Sequence, residues 1–263
     1  MTEVHTLASG SSGNALLLSA GSTHILVDAG ISCRRMTKSL AALGLCPDDL
    51  SAILISHTHS DHIAGLQTLV KHFSAPIYAS RQTARGLSLR VAGIDGLLQP
   101  FDGACFSVGD CEIVPFQTSH DAAGSTGYRI DTTDGGVGVL TDSGYVTDAA
   151  RDALDGVALL VLEANHDIET LRSGDYPYYL KQRILGSEGH LSNDDAAAFA
   201  VTAAAGGATE IVLAHLSREN NTPVMAFDAV ARSLSAAGLS PRLTVAPRDC
   251  LSEGYGLERL CRR

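Results

Sequence analysis

Residues 56–62 read Ser-His-Thr-His-Ser-Asp-His, directly after the apolar stretch Ala52-Ile53-Leu54-Ile55. Four metal-ligand side chains therefore crowd the end of a buried strand. Imidazole with carboxylate is the usual donor set for zinc and similar ions. The spacing does not let all four face one ion. His57 and His59 stand two apart, so in extended chain they point the same way. Asp61 and His62 fall where the chain turns into a helix, and they aim elsewhere. The run suits two adjacent ions, each taking part of it.

Three further candidates lie far along the chain. His120 follows Gln117-Thr118-Ser119, Asp142 follows the strand Gly138–Leu140, and His215 follows the strand Ile211–Ala214. All sit at strand ends, where a rigid scaffold holds loops and function collects.

The elements that must position them alternate between strand-like and helix-like. Residues 4–8, 14–19 and 24–28 read as short strands. Arg34 to Leu43 reads as a helix stopped by Gly44. Ile53–Ser56 is a strand, Ile63 to Phe73 a helix, and Ile77–Ala79 a strand before a helix carrying Arg81, Arg85 and Arg90. Residues 105–118 give two strands, and Tyr128–Ile130, Gly138–Leu140 and Leu159–Leu162 give three more. Ser192 caps a helix over Asp194–Ala205. After the strand Ile211–Ala214, Thr222-Pro223 opens a helix that Gly238 ends, and residues 243–246 form a last strand.

An internal echo runs through this order. Two apolar strands end in Asp-x-Gly, at Asp28 and at Asp142. Two others end in His, at His57 and at His215. Two similar β-rich halves follow, with two mixed sheets face to face and helices on both outer faces. The expected class is α+β, a four-layer αββα sandwich, as one domain over residues 1–263.

Composition bounds the function. At 263 residues with 45% hydrophobic content, the chain fills a large core. No apolar run reaches the length of a membrane span, and no secretory signal is visible at the N-terminus. The six cysteines form no CxxC pair, so reduced thiols and a cytoplasmic location are expected. A net charge of −10 disfavours nonspecific nucleic-acid or membrane binding. Two divalent ions would place positive charge at the site itself, so a phosphate substrate remains compatible.

The ordered set His57-x-His59-x-Asp61-His62, His120, Asp142 and His215 resembles the ligand pattern of the metallo-β-lactamase fold hydrolases. The resemblance implies a first ion on His57, His59, His120 and Asp142. It implies a second on Asp61, His62, His215 and the bridging Asp142. Two ions so bridged can share a water and lower its pKa. Asp61 would orient the attacking hydroxide as well as ligate, and Asp28 would support a ligand histidine from behind. Zinc suits a His-rich site, with manganese as the alternative.

Further strings narrow the reaction. Thr6–Asn14, Leu162–Asp167, Leu180–Ile184, Gly189–Asn193 and His215–Asn221 look like the YycJ/WalJ-like branch of this fold, which implies 5′-exonuclease action on DNA. The Gly-His-Leu string also resembles the transfer-RNA 3′-processing ribonucleases. His190 is the expected general acid for the leaving 3′-oxygen, with Glu163 orienting it. In the Gly-rich loop, Ser11, Ser12 and Asn14 are candidates to hold a terminal phosphate. Lys181 and Arg183 are candidates for backbone phosphates beside Tyr176, Tyr178 and Tyr179. Asn221 is a further substrate-binding candidate, and His166 has no assignable role.

Three rivals were weighed: a glyoxalase II-like thioesterase or lactone hydrolase, an RNA-processing nuclease, and a metal-bound binding protein. The first carries a helical C-terminal extension for which little chain remains after His215. The β-CASP form of the second inserts a domain for which the Asp142–His215 stretch is too short. The third leaves the intact ligand set and His190 without a task.

Overall fold

The computed structural model describes residues 1–257. Cys261, counted among the reduced thiols above, lies outside them. The first half contains β1 (Thr2–Ala8), β2 (Ala15–Ala20), β3 (Thr23–Val27), α1 (Cys33–Ala42), β4 (Ala52–Leu54), α2 (Ser60–Ile63), α3 (Leu66–Leu69), β5 (Ile77–Ser80), α4 (Arg81–Arg90) and β6 (Leu98–Phe101). The second contains β7 (Phe106–Val108), β8 (Cys111–Gln117), β9 (Thr126–Thr132), β10 (Gly135–Leu140), α5 (Asp148–Leu154), β11 (Leu159–Glu163), α6 (Ile168–Ser173), α7 (Tyr178–Leu185), α8 (Asn193–Ala205), β12 (Glu210–Ala214), α9 (Pro223–Ala236), β13 (Arg242–Val245) and β14 (Tyr255–Leu257).

Among the described residues the strands form two sheets, ordered β14-β1-β2-β3-β4-β5-β6 and β13-β12-β11-β10-β9-β8-β7. In the first, the antiparallel meander β1-β2-β3 passes into the parallel run β3-β4-β5-β6. In the second, β8-β9-β10 passes into β10-β11-β12-β13 in the same way. The halves repeat one topology. The Asp-x-Gly echo falls on equivalent strands, β3 and β10. The His echo does not: β4 is the second strand of its parallel run and β12 the third.

Alternation explains why the strands read as unbroken apolar runs. Leu16, Leu18, Ile25 and Val27 join the core between the sheets, together with Ile113, Ile130, Leu159 and Val161. Leu17 and Leu26 face the opposite way, into the layer covered by α1 and its neighbours. Leu160 and Leu162 face α5, α8 and α9 on the far side. Both faces of each sheet are covered, so no polar alternation is left to see. Three cores between four layers make the αββα sandwich.

The expected helix over Ile63–Phe73 is instead two short turns, α2 and α3. The reason is Gly65, whose N–H is donated to Ala29 O at 2.8 Å. A Cβ there would strike the Ile31 carbonyl, so the chain presses flat against the loop after β3. Sequence reading also passed over β6, α5, α6, α7 and β14. α7 has no buried residue, and its mixed pattern offers no apolar stripe to detect.

Three strand ends adopt left-handed backbone: Asp28 (φ 61°), Asp142 (φ 58°) and His215 (φ 57°). Only a few per cent of non-glycine residues do so, with Asp and His among the most tolerant. Each of these three ends a strand at the edge where the His-rich run lies. The glycine of each Asp-x-Gly serves a close approach. A Cβ on Gly30 would overlap the Asp61 carbonyl, and one on Gly144 would overlap the Ser187 carbonyl. Gly30→Ala should therefore lower stability by at least about 3 kcal/mol, the upper range for overpacking. Gly96→Ala, which meets nothing within 4 Å, should stay within about 0.5 kcal/mol. Denaturant unfolding of both variants checks this, and equal shifts would contradict the close-approach account.

Candidate metal centre and active site

The run after β4 is held by backbone before any side chain acts. Asn14 N–H is donated to Asp61 O at 2.7 Å, Ala29 N–H to His62 O at 2.8 Å, and Thr126 N–H to Ser56 O at 3.1 Å. The buried Tyr128 hydroxyl donates to Ile55 O at 2.7 Å, tying the second sheet to the end of β4. His215 N–H is donated to Ser9 Oγ at 2.8 Å. Both halves of the fold thus meet at one edge.

The histidines converge there with one ring nitrogen already committed. Asp28 takes His62 Nδ1 at 2.7 Å and also accepts from the Ser56 hydroxyl, at 2.8 Å. That hydroxyl in turn lies 3.0 Å from His57 Nδ1, from which it accepts. His120 Nδ1 donates to Gly189 O at 3.1 Å. His59 Nε2 lies 3.4 Å from Asp121. Glu163 Oε1 is 2.8 Å from both His190 Nδ1 and His215 Nδ1, while its Oε2 accepts from Ser143 N and Leu191 N, each at 3.1 Å.

These bonds assign the tautomers and turn lone pairs toward one another. His59 Nδ1 and His120 Nε2 stand 3.2 Å apart. His62 Nε2 is 3.1 Å from Asp142 Oδ2. Asp61 Oδ2 is 3.5 Å from both His62 Nε2 and His215 Nε2. Buried His57 Nε2 and Asp142 Oδ2 have no hydrogen-bond partner. Acceptors so placed demand positive charge between them. The residues fit divalent ions on that ground. His57, His59 and His120 form one cluster; Asp61, His62 and His215 form another. Asp142 joins His57 and His62 in a third group and Glu163, His190 and His215 in a fourth, with the ligand atoms of each group within 4.8 Å of one another.

The titration directions agree with this field. Burial and the neighbouring imidazoles hold His57 well below the usual histidine range. Burial opposes charge on His62, yet Asp142 and Asp28 raise it well above that range. Burial likewise works against Glu163 ionising, but His190 and His215 bring it down to about 2. Burial disfavours charge on His190, and Glu163 and Asp142 outweigh it and raise its pKa.

A cavity of about 370 Å³ opens onto the cluster, lined among others by Ser11, Asp61, Tyr176, Arg183, Glu188 and His190. The structure separates the remaining candidates. Lys181 and Arg183 are two apart on α7, which turns them about 200° from each other. Arg183 lines the cavity and its Nε donates to Asp121. Lys181 points away, and its Nζ donates to Arg172 O at 2.7 Å and Gly174 O at 2.6 Å, at the end of α6. Asn221 is spent on Asn193, Ala164 O and Thr222 N, so it clasps the loop before α8 instead of meeting substrate. Asn14 accepts from Gly10 N at 2.8 Å and places its Nδ2 3.1 Å from His62 Nε2, inside the scaffold. Ser12 turns to Asp249 at 3.4 Å. Only Ser11 of that loop lines the cavity.

Two features escaped sequence reading. Asp121 orients His59, and its position beside His120 was the available signal. Glu163 holds the ligand His215 as well as His190, a link that only the fold creates. His166 is buried with both ring nitrogens unpartnered, and burial depresses its pKa to about 4.

Three comparisons bear on this geometry. Residues 23–216 match the family model described as beta-lactamase superfamily domain. The chain is 40% identical over 237 residues to exodeoxyribonuclease WalJ of Streptococcus pneumoniae serotype 2, covering 89% of this chain and 88% of that protein. It is 36% identical over 239 residues to exodeoxyribonuclease YycJ of Bacillus anthracis, covering 88% and 89%. Among solved structures, the metallo-beta-lactamase fold protein YhfI from Bacillus subtilis superposes with a TM-score of 0.71 at 19% identity, covering 96% of this chain and 100% of that one.

Two predictions follow from the buried groups. Glu163→Gln puts an amide where four donors need acceptors, so metal affinity should fall about 10–100-fold. Competition with a chelating dye measures it, and unchanged affinity would refute the shared-carboxylate role. For His166, the folded value near 4 lies below the ordinary histidine value of 6.5. The unfolded chain therefore takes the proton first, so this stability is present above pH 6.5 and lost as pH falls toward 4. With chelator present in both, wild type should lose up to about 3 kcal/mol more than His166→Gln over that window. Parallel pH–stability curves would sink the idea.

Proposed function

The chain belongs to the metallo-β-lactamase fold hydrolases, in the group of the WalJ and YycJ exodeoxyribonucleases, and from that premise we propose that it shortens DNA from the 5′ end. The observation that carries this reading is His190. It is an imidazole that the resemblance assigns to neither ion, in the wall of the cavity, locked through Nδ1 by Glu163 at 2.8 Å. Its Nε2 has no protein partner among the described residues. A metal-only hydrolysis site has no need of that sixth imidazole beside Asp142.

Each residue has a task in phosphodiester cleavage. Divalent ions bound by the His57–His59–His120 and Asp61–His62–His215 clusters, with Asp142 between, would supply an acidified water and a positive field for the phosphoryl group. Asp61, on the cavity wall, orients the attacking oxygen. His190 holds a proton at Nε2 and delivers it to the leaving 3′-oxygen, while Glu163 stabilises the charged ring. Ser11 and Arg183 contact the substrate from the rim. The ions are zinc by donor chemistry, with manganese as the other occupant. The protein acts as a single hydrolase domain in the cytoplasm, in DNA repair or processing.

The test is degradation of 5′-phosphorylated, 3′-labelled DNA, single- and double-stranded, with added zinc or manganese. Wild type should give a ladder shortened from the 5′ end. Asp142→Asn should give none, and His190→Ala should be slower by about 10²–10⁴ with metal content unchanged. Internal cuts only, or no cleavage by metal-loaded wild type, would overturn the reading.

A further inference from the structure

The catalytic cavity continues past His120. A second cavity of about 310 Å³ shares His120 and Glu188 with the first. Gln117 then joins it to a third of about 480 Å³, between the ends of β5 and β6 and the ends of β8 and β9. On the opposite side, Tyr176, Leu180 and Ile184 line the catalytic cavity. A strand leaving the site past His120 would meet these cavities in turn.

The second cavity has a definite chemistry. No Lys or Arg lines it, and Glu188 is an acid, so it would not hold a phosphate. Its hydroxyls are already committed. Thr118 pairs with Ser125 at 2.7 Å, Ser119 donates to Ser187 O at 2.8 Å, and Thr147 donates to Gln117 O at 3.0 Å. What remains is the ring of Tyr145, 51% exposed. Its backbone is fixed, since Ser143 Oγ donates to Tyr145 O at 2.6 Å and Gly144 N–H to Ser119 O at 2.8 Å. An aromatic held rigidly, half in solvent, three residues after Asp142, offers a face and little else. A flat, uncharged ring is the ligand that suits it.

We propose that this cavity receives the first nucleotide on the 3′ side of the scissile phosphate, with its base stacked on Tyr145. The inference rests on the exonuclease reading and adds a subsite to it. Stacking accepts every base, because each has a π-face. An enzyme that removes one nucleotide after another needs that tolerance.

The experiment uses 5′-phosphorylated oligonucleotides whose second nucleotide is either natural or abasic. Wild type, Tyr145→Ala and Tyr145→Phe are compared in kcat/KM for release of the first nucleotide. Affinity is measured in a His190→Ala background by fluorescence anisotropy. Tyr145 is exposed and held through its backbone, so its substitution leaves the fold intact. The abasic site should weaken wild type and Tyr145→Phe about tenfold. Tyr145→Ala should lose about as much on natural DNA and nothing further on abasic DNA. An abasic penalty that persists undiminished in Tyr145→Ala would overturn the subsite while leaving the exonuclease standing. Failure of wild type to degrade any of these substrates would overturn both.

Discussion

At the edge between the two sheets, lone pairs are brought face to face. His59 Nδ1 meets His120 Nε2 at 3.2 Å, and His62 Nε2 meets Asp142 Oδ2 at 3.1 Å. In water such groups would turn to donors. Here they cannot turn, because the opposite nitrogen of each ring is bonded to Asp28, Ser56, Gly189 O, Asp121 or Glu163. A buried acceptor without a partner costs about 1–3 kcal/mol, more when charged. The arrangement is stable when cations lie among these atoms, so metal binding contributes to the free energy of the folded site itself.

Holding the rings in that posture shapes the rest of the chain. Asp28 and Glu163, one from each half, each anchor two imidazoles, directly or through Ser56. Three strand ends take left-handed backbone to aim their side chains, strain of order 1–3 kcal/mol at each. Gly30 and Gly144 let the Asp61 and Ser187 carbonyls come close enough to lock the loops. The three apolar cores offset this strain. The layered burial that makes the strands so uniformly hydrophobic is what permits a polar, strained edge.

Much of this is written locally. The His-x-His-x-Asp-His run, the Asp-x-Gly strand ends and the apolar strands each follow from neighbours in sequence, so the two sheets could be read from them and the run marked as a candidate metal site, whereas its grouping with His120, Asp142 and His215 rests on the resemblance. The roles of Lys181 and Arg183 could not be read. Nothing local separates them, and only the helical turn of α7 sends one into the cavity and the other to the end of α6. Asn221 and Asn14 are polar residues beside a site, yet their hydrogen bonds run to distant segments that the sequence does not place. The Ile63–Phe73 helix failed for a similar reason. Gly65 is bonded to the loop after β3, and a tertiary contact overrode a local pattern.

The acidic character of the chain, −10 overall, then bears on how it handles a polyanion. Several cations near the site are paired with acids, Arg183 with Asp121, Arg81 with Asp102 at 3.1 Å and Arg218 with Asp249 at 3.3 Å, while Arg90 and Arg248 donate to the carbonyls of Thr58, Leu216 and Ser217. A broad basic footprint of the kind that drives nonspecific binding is not what this edge presents. With ions bound, positive charge would be concentrated at the cluster of imidazoles and carboxylates. On the proposed reading, DNA is gripped at its reacting phosphate and supported by stacking on Tyr145, and it is released once that phosphate is cut. For an enzyme that must advance one nucleotide at a time, weak hold elsewhere is an advantage, since every further phosphate contact would have to break at each step.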